Sequence, residues 1–475
     1  MEKRGAGIHI LIIGGGPGGY TAAVQAAQLG ATVTLVEKDR LGGICLNRGC
    51  IPTKALLQTA NLLWQMKNAD RFGISIENVL LNFEAATKHK ETIVQKLVDG
   101  VGILMAKNKV SVIKGAAEIV NERKVKIYGS HKKLVAPDKI IIATGAEPTV
   151  PAIEGIKEKG VITSDDVLTL KSLPESIIII GGGYIGLEFA QIFNRMNTKV
   201  NLVEMESHVL PNEDEDIAGM LEDMLKKEGI DIFTNAQVKR IKTYKNGNTA
   251  VFMNLKDKEK KLIAKKVLVA VGRSPYTDNL GLKTIGIETD AGRIIVNNRL
   301  ETNIKNIYAI GDVIGRAMLA HVATAEGRCA ARNAAGINST MNYRAIPRCI
   351  YTSPEVAAVG LTEREAKETH DNVRTACVPF AFNGKALIMD ETGGMVKFIA
   401  EDRYKELLGV SIVGPQATEI IAEAVFGIQI ESTFTDFAHT MHAHPTLSEA
   451  LLETALEMNK NWGELDASFG TNNRN

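Results

Sequence analysis

Hydrophobic order along the chain comes in two kinds, and the switch between them recurs. Residues 10–37, "ILIIGGGPGGYTAAVQAAQLGATVTLVE", open with a β-branched run, break on glycines, continue at helical spacing, and close on a second β-rich run that ends in an acid. Short apolar runs of this kind predict strands, and the 3.6-residue spacing between them predicts a helix. Residues 177–204, "IIIIGGGYIGLEFAQIFNRMNTKVNLVE", repeat the same order 167 positions later, an internal duplication. Each copy leaves by a strand that runs into a glycine and a proline-containing link, "DKIIIATGAEPTVP" at 138–151 and "AKKVLVAVGRSPYT" at 264–277. From first glycine to exit the first copy takes 129 residues (Gly14 to Ala143) and the second 89 (Gly181 to Ala270), so the first carries 40 extra residues. "NIYAIGDVIGRAMLAHVATAEG" (306–327) follows, then strand-like and helical segments from about 346, and a short polar tail, "FGTNNRN".

The turn in each copy reads G-x-G-x-x-G, with Gly14, Gly16 and Gly19 in one and Gly181, Gly183 and Gly186 in the other. In both, an acid (Glu37 or Glu204) falls 18 residues after the last glycine. With a strand before, a helix after and the acid at the end of the next strand, this is a dinucleotide-binding pattern rather than a set of turns. The first glycine permits the tight turn, the second lets backbone N–H groups reach a pyrophosphate, and the third brings the helix against the sheet. The helix N-terminus then faces the phosphates, and the acid accepts hydrogen bonds from a ribose. The expected fold is α/β: two Rossmann-like dinucleotide-binding domains, the second inserted in the first, plus a C-terminal α+β domain. The expected divisions are 1–149, 150–275, 276–345 (a return to the first domain) and 346–475.

Composition narrows the partners. At roughly 150 residues per domain, 475 residues favour about three domains. Its 56 basic and 55 acidic residues are interspersed, so no single-sign field attracts nucleic acid or an anionic membrane, and small neutral or anionic ligands fit better. The start places basic residues before an apolar run, as a signal peptide does, but the run dissolves into glycines without a cleavage-like segment. No stretch offers about 18 unbroken apolar residues, so no membrane span is expected. Five cysteines are too few and too scattered for a disulfide scaffold, which points to a reducing, cytoplasmic compartment.

The ribose acids carry information about charge. Glu204 would repel a 2′-phosphate, and no arginine follows it directly in "VEMESHVLP", so NAD is expected in the second site; Glu37 likewise fits an unphosphorylated ribose. "GGICLNRGCIPTKALL" (42–57) sets Cys45 and Cys50 five positions apart ahead of a helix-prone segment, and three readings compete. A metal site lacks further ligands, because Cys329, Cys349 and Cys377 are isolated. A static bridge would close only a tiny loop in a reducing cell. A redox-active disulfide is favoured: a helix N-terminus near Cys50 would stabilise a thiolate, Pro52 is compatible with helix initiation, and Lys54 adds positive charge. A nicotinamide does not easily reduce a disulfide directly, whereas a flavin accepts a hydride on one face and exchanges electrons with sulfur on the other. FAD in the first site and NAD in the second would join the parts into one electron path.

Together with "AIGDV", "MLAH" and "HAHPTLSE" (442–449), these motifs resemble the flavoprotein disulfide reductases over nearly the whole chain. The resemblance implies that Asp312 binds the FAD ribityl chain, that Ala117 and Ala320 contact the flavin nucleotide through backbone, and that Lys54 lies near the isoalloxazine ring in an ion pair with Glu188. It also implies Val238 and Gly272 near NAD. Thr144 and Gly145 in "ATGAEP" are expected cofactor contacts, although many relatives carry a serine after that glycine. Cys45 would exchange with a substrate dithiol and Cys50 would face the flavin. A dithiol is mostly protonated at neutral pH, so exchange needs a base. The resemblance selects His444, contributed across a homodimer built on the C-terminal domain, with Glu449 orienting it and raising its basicity.

On the residues alone, other readings stand beside these. Asp312 also reads as a turn residue, and His444 as a surface or capping histidine, with His442 as its control. Glu449 reads equally as the acid of a T-x-x-E capping box. The resemblance leaves Tyr184 as either a gate over the nicotinamide pocket or a packing ring. The implied activity is oxidation of protein-bound dihydrolipoyl groups by NAD+, with the lipoyl-bearing protein of a 2-oxo acid dehydrogenase, acetoin or glycine cleavage complex as partner. Its rivals are a reductase of glutathione-like disulfides or mercuric ion, and a flavin-binding complex subunit without turnover.

Overall fold

The computed structural model describes residues 7–461, so the expected polar tail at 469–475 lies outside the described residues. Two compact units form: residues up to Pro174 with 243–249 and 266–342, and residues 175–242 with 250–265 and the chain from Tyr343 on.

The first unit is organised by β1 (His9–Ile13), whose residues Ile10–Ile13 are all buried. Burial on both faces is what the middle of a parallel sheet demands, and it explains an unbroken aliphatic run in place of an alternating one. The chain turns through Gly14 into α1 (Pro17–Gln28) and returns as β2 (Thr32–Glu37), in parallel register with β1. Pro17 opens the helix, where its missing N–H goes unnoticed. Next come α2 (Gly43–Arg48), α3 (Cys50–Lys67), α4 (Phe83–Lys107) and β3 (Ser111–Lys114). At the same step the second copy uses the single helix Glu215–Lys227, so the first copy's surplus is the segment that carries the cysteines.

The sheet runs Ile307–Ala309, Lys139–Ile142, β1, β2, β3, all parallel. Numbered along the chain this is the 3-2-1-4-5 order of a Rossmann sheet, and strand order reverses at the carboxyl end of β1, where such folds bind ligands. Its fifth strand arrives only after the second copy has been completed, which makes the second fold an insertion in the first. Helix Ala320–Ala334 seals one face by close approach to α1: a Cβ on Gly327 would lie 2.4 Å from the Gly18 carbonyl oxygen.

In the second unit, Ser176–Ile180, Lys199–Val203 and Asp231–Phe233 form a parallel array behind helix Tyr184–Arg195. The C-terminal part is a five-stranded antiparallel sheet in the order Arg348–Ile350, Glu355–Gly360, Leu407–Gly414, Met395–Glu401, Val373–Pro379. Helices Ala417–Gln429, Phe434–His439 and Glu449–Asn461 accompany it, and Phe380, Phe398 and Phe434 fill the core. The fold is therefore α/β with two Rossmann-like folds, one inserted in the other, and a C-terminal α+β domain. Among the described residues, no helix is long and apolar enough to cross a membrane.

Candidate active site

The two fingerprints fold alike, and their glycines divide by role. Gly14 and Gly181 sit at φ of +109° and +111°, backbone that L side chains rarely adopt. A Cβ on Gly19 would lie 1.8 Å from the Gly14 carbonyl oxygen, and one on Gly186 2.0 Å from that of Gly181. The first and third glycines are thus required by the chain itself. The middle ones are not: a Cβ on Gly183 meets nothing within 4 Å, and one on Gly16 meets only Gly43 Cα at 3.8 Å. Space kept open without an internal reason, at the start of a helix, suits the close approach of a pyrophosphate.

The ribose acids are held in matching fashion. Glu37 accepts from the N–H groups of Gly15 (2.6 Å) and Asp39 (2.7 Å); Glu204 accepts from those of Gly182 and Glu206, the latter at 2.8 Å. A carboxylate offers about four acceptor sites, so each keeps capacity for ribose hydroxyls. Backbone bonds from Gly115 N to Glu37 O (2.8 Å) and from Ala236 N to Glu204 O (2.9 Å) bring the next strand alongside. Ala117 and Val238 each lie two residues beyond that bond, in equivalent places of the two copies. Both cradles fit a dinucleotide.

Cys45 lies in α2 and Cys50 opens α3, with Gly49 between the helices. Both are free thiols. A hydrogen bond to Cys50 pushes the Cys45 thiol well above its ordinary range; burial adds to this, Lys54 opposes it, and Asp312 adds a smaller rise. Lys54 and Asp312 therefore lie within electrostatic reach of the pair, although Asp312 is 267 residues from Cys45 in sequence. Asp312 occupies the turn Gly311–Ile314, just ahead of the helix that Ala320 opens. Burial raises its carboxyl, and Arg273 pulls it back. Arg273 in turn reaches Asp165 (3.3 Å) and the Ala146 carbonyl (2.9 Å).

Beside Asp312, the buried Arg273 Nε has no hydrogen-bond partner in the chain. A bound polar group such as a flavin nucleotide would satisfy atoms of this kind. Thr144 follows Ala143, whose N–H bonds Ile13 O, and its hydroxyl donates to Tyr276 O at 2.7 Å. Gly145 (φ +73°) accepts from Tyr276 N–H, and Gly272 (φ +121°) accepts from Thr149 N–H, so the two exit strands are laced together.

In the second unit, Glu188 is buried on helix Tyr184–Arg195 and accepts from Tyr351 N–H at 3.1 Å. Tyr184, first in that helix, is 41% exposed. His444 Nδ1 stands 2.9 Å from Glu449 Oε1, while Glu449 Oε2 accepts from Thr446 N–H at 2.7 Å. The two readings of Glu449 are therefore both realised, one by each oxygen. Chiefly through the Thr446 bond, and next through His444, the Glu449 carboxyl is held below its ordinary range. The expected capping box is not the full motif: the helix starts at Glu449, and the Thr446 hydroxyl donates to Ala443 O. His442 has its own partners, Glu423 (3.0 Å) and Thr440 O (2.9 Å).

Sequence reading passed over three residues. Arg273 stands in the exit motif directly after Gly272, Asn47 between the two cysteines, and Tyr20 directly after the last fingerprint glycine; that adjacency was the available signal. The Tyr20 hydroxyl is held above its ordinary range by burial first and then by both cysteines, which places it at the redox pair.

A dithiol set beside one dinucleotide cradle, in a chain that carries a second cradle, defines a dinucleotide-linked disulfide oxidoreductase. Residues 8–327 match the family model of the pyridine nucleotide-disulphide oxidoreductases, residues 346–455 match the dimerisation domain of the same family, and the chain belongs to it. Among curated relatives, a dihydrolipoyl dehydrogenase of Bacillus subtilis is 41% identical over 450 residues, covering 94% of this chain and 98% of the relative. The mitochondrial dihydrolipoyl dehydrogenase of Pisum sativum is 39% identical over 454 residues, 94% of this chain and 90% of its own. Among solved structures, LpdA from Mycobacterium tuberculosis aligns with a TM-score of 0.88 at 26% identity, covering 95% of this chain and 99% of that one. The HOCl-induced flavoprotein disulfide reductase RclA of Escherichia coli aligns with a TM-score of 0.84 at 31% identity, covering 94% and 99%.

Proposed function

We propose that this chain is an FAD-dependent, NAD-linked dihydrolipoyl dehydrogenase that works as a homodimer in the cytoplasm. It oxidises dihydrolipoyl groups presented by a lipoyl-bearing protein of a 2-oxo acid dehydrogenase, acetoin or glycine cleavage complex. The carrying observation is the Cys45–Cys50 thiol pair in contact beside Lys54 and Asp312, in a chain whose curated relatives bear that name over nearly their whole length. In this reading Gly14, Gly16, Gly19, Glu37, Lys54, Ala117, Thr144, Gly145, Asp312 and Ala320 hold FAD. Gly181, Gly183, Gly186, Glu188, Glu204, Val238 and Gly272 serve NAD. FAD, when bound, supplies the two-electron carrier between the cysteine pair and NAD+.

The chain's own residues conduct the sulfur chemistry. His444 of one subunit takes a proton from the substrate dithiol. The thiolate attacks Cys45 Sγ, the Cys45–Cys50 bond breaks, and Cys50 leaves as thiolate. As the second substrate sulfur attacks the mixed disulfide and closes the lipoyl ring, Cys45 leaves and takes the first proton from His444, which then receives the second substrate proton. Glu449 accepts from His444 Nδ1–H, so Nε2 keeps the lone pair that acts as base. The proposal is tested by comparing dihydrolipoamide/NAD+ turnover with glutathione disulfide/NADPH turnover. Turnover of the first at least a hundredfold above the second supports it, and the reverse order sinks it.

A further inference from the structure

The loop between the two cysteines is tied down from within. Asn47 Nδ2 donates to Leu41 O at 3.0 Å and to Gly43 O at 2.8 Å. Those two carbonyls fix the amide's orientation, since its oxygen would be repelled by both. Leu41–Gly43 is itself locked to the first fingerprint. Gly42 N–H donates to Gly15 O at 2.8 Å, and a Cβ on Gly43 would come within 2.6 Å of Gly16 Cα. Arg48 also leaves the loop, for Asp39 at 2.9 Å, but both side chains are more than two-fifths exposed and solvent screens them.

We propose that Asn47 is a positioning residue for the redox pair: its side-chain amide splices the cysteine loop onto the phosphate-binding turn and holds the two sulfurs at closing distance. The reason is effective concentration. Two thiols held in contact close into a disulfide as a unimolecular step, and an error of about 1 Å in such an arrangement costs about a hundredfold. The hydrogen bonds of Asn47 join the cysteine-bearing helix α2 to the Leu41–Gly43 turn, which Gly42 N–H in turn ties to Gly15. The inference rests on the disulfide-exchange reading above.

The test equilibrates the holoenzyme with glutathione redox buffers. The Cys45–Cys50 bond forms as the glutathione disulfide bond breaks, and the two protein thiol protons pass to two glutathione thiols. Acid trapping and alkylation count the remaining thiols. In Asn47→Ala the effective concentration of the pair is expected to fall at least tenfold, a rise of about 30 mV in its potential. Asn47→Asp, equal in shape but unable to donate, falls as far, while Arg48→Gln stays within threefold of the parent. NADH-driven dye reduction, which bypasses the cysteines, reports whether the cradle is intact and is expected to fall less than threefold. An unchanged equilibrium in Asn47→Ala, a parent-like Asn47→Asp, or dye reduction lost in step with the thiol equilibrium overturns the assignment. If Asn47→Ala does not fold, Asn47→Ser carries the same comparison. Dihydrolipoamide turnover of the unmodified enzyme is measured separately: its absence sinks the functional reading, and the glutathione equilibrium still decides the role of Asn47.

Discussion

Replacing Glu449 by glutamine separates its two roles, because glutamine has one acceptor oxygen where glutamate has two. If the amide oxygen stays on Thr446 N–H, the NH2 group faces His444 Nδ1 and forces the ring proton to Nε2, which can no longer act as base. If the oxygen turns to His444, the NH2 group faces Thr446 N–H and leaves that donor unsatisfied, at about 1–3 kcal/mol. Keeping the working tautomer therefore costs about ten- to a hundredfold in competent enzyme. Loss of the charge-assisted bond to the imidazolium formed during proton transfer adds up to about tenfold more, a modest figure because His444 is 78% exposed on its side chain and solvent screens the pair. The dihydrolipoamide/NAD+ kcat is expected to fall by about 10–10³, no more than a general base supplies.

Stability should barely respond, because either orientation keeps one of the two bonds. A loss of up to about 1 kcal/mol corresponds to a melting shift of about 2–4 °C or less in a chain of this size. The Glu449 carboxyl is held below its ordinary value by Thr446 and His444. Its contribution is therefore fully present above about pH 4.3 and is lost only as pH falls through the lowered value, so Glu449 itself keeps its charge throughout pH 6 to 9. The assay is steady-state turnover against pH, with NADH-driven dye reduction as the control for the cofactor half. Turnover of Glu449→Gln within threefold of the parent, or dye reduction falling in parallel, would refute the reasoning.

Other outcomes follow from the same geometry. Gly183→Ala is expected to fold normally and to raise KM for NAD+ at least tenfold, whereas Gly186→Ala, whose Cβ would meet the Gly181 carbonyl, should lower the melting temperature or prevent folding; thermal melts and NAD+ titrations check the pair. Glu204→Ala should narrow the preference for NADH over NADPH at least tenfold in dye reduction, by removing the charge that repels a 2′-phosphate. Lys397 is buried among Asp214 (3.7 Å), Asp216 (2.9 Å) and Glu363 (2.7 Å) in the C-terminal sheet, so Lys397→Met leaves the buried Asp214 uncompensated and should destabilise by about 3–5 kcal/mol, read by denaturant melts, without a change in the pH profile of kcat. His442→Gln should leave turnover within threefold of the parent, since His442 is bound to Glu423 and Thr440 O rather than to Glu449.

What could be read from sequence was whatever is written locally. Strand, glycine turn, helix and acid lie within 28 consecutive residues in each copy, so the cradles and their acids were legible in spacing alone. The dithiol was legible as a pair for the same reason. Its surroundings were not: Arg273 and Asp312 meet through the return of Ile307–Ala309 to the first sheet, a long-range pairing that leaves no periodic trace. Asn47 was missed because an amide in a short helix has no signature until the carbonyls it faces are known. Glu449 resisted a decision between cap and orienter because sequence assigns one role to a residue, whereas the carboxylate gives each of its oxygens a separate task.

The surroundings of the dithiol favour a base from outside the pair, as in the mechanism proposed above. The hydrogen bond to Cys50 and burial hold the Cys45 thiol well above its ordinary range. The groups around it do not relieve this. Burial and the two cysteines hold the Tyr20 hydroxyl above its ordinary range, Lys54 lowers the cost of a thiolate, and the charge of Asp312 works against a second negative charge nearby. Protons released as the substrate dithiol is oxidised need an acceptor outside the pair, and in the reading proposed above that acceptor is His444, exposed and tied at Nδ1 to a carboxylate that is itself tied to the backbone. On that reading, its place in the segment that matches the dimerisation domain gives pairing of two chains a chemical purpose as well as a structural one.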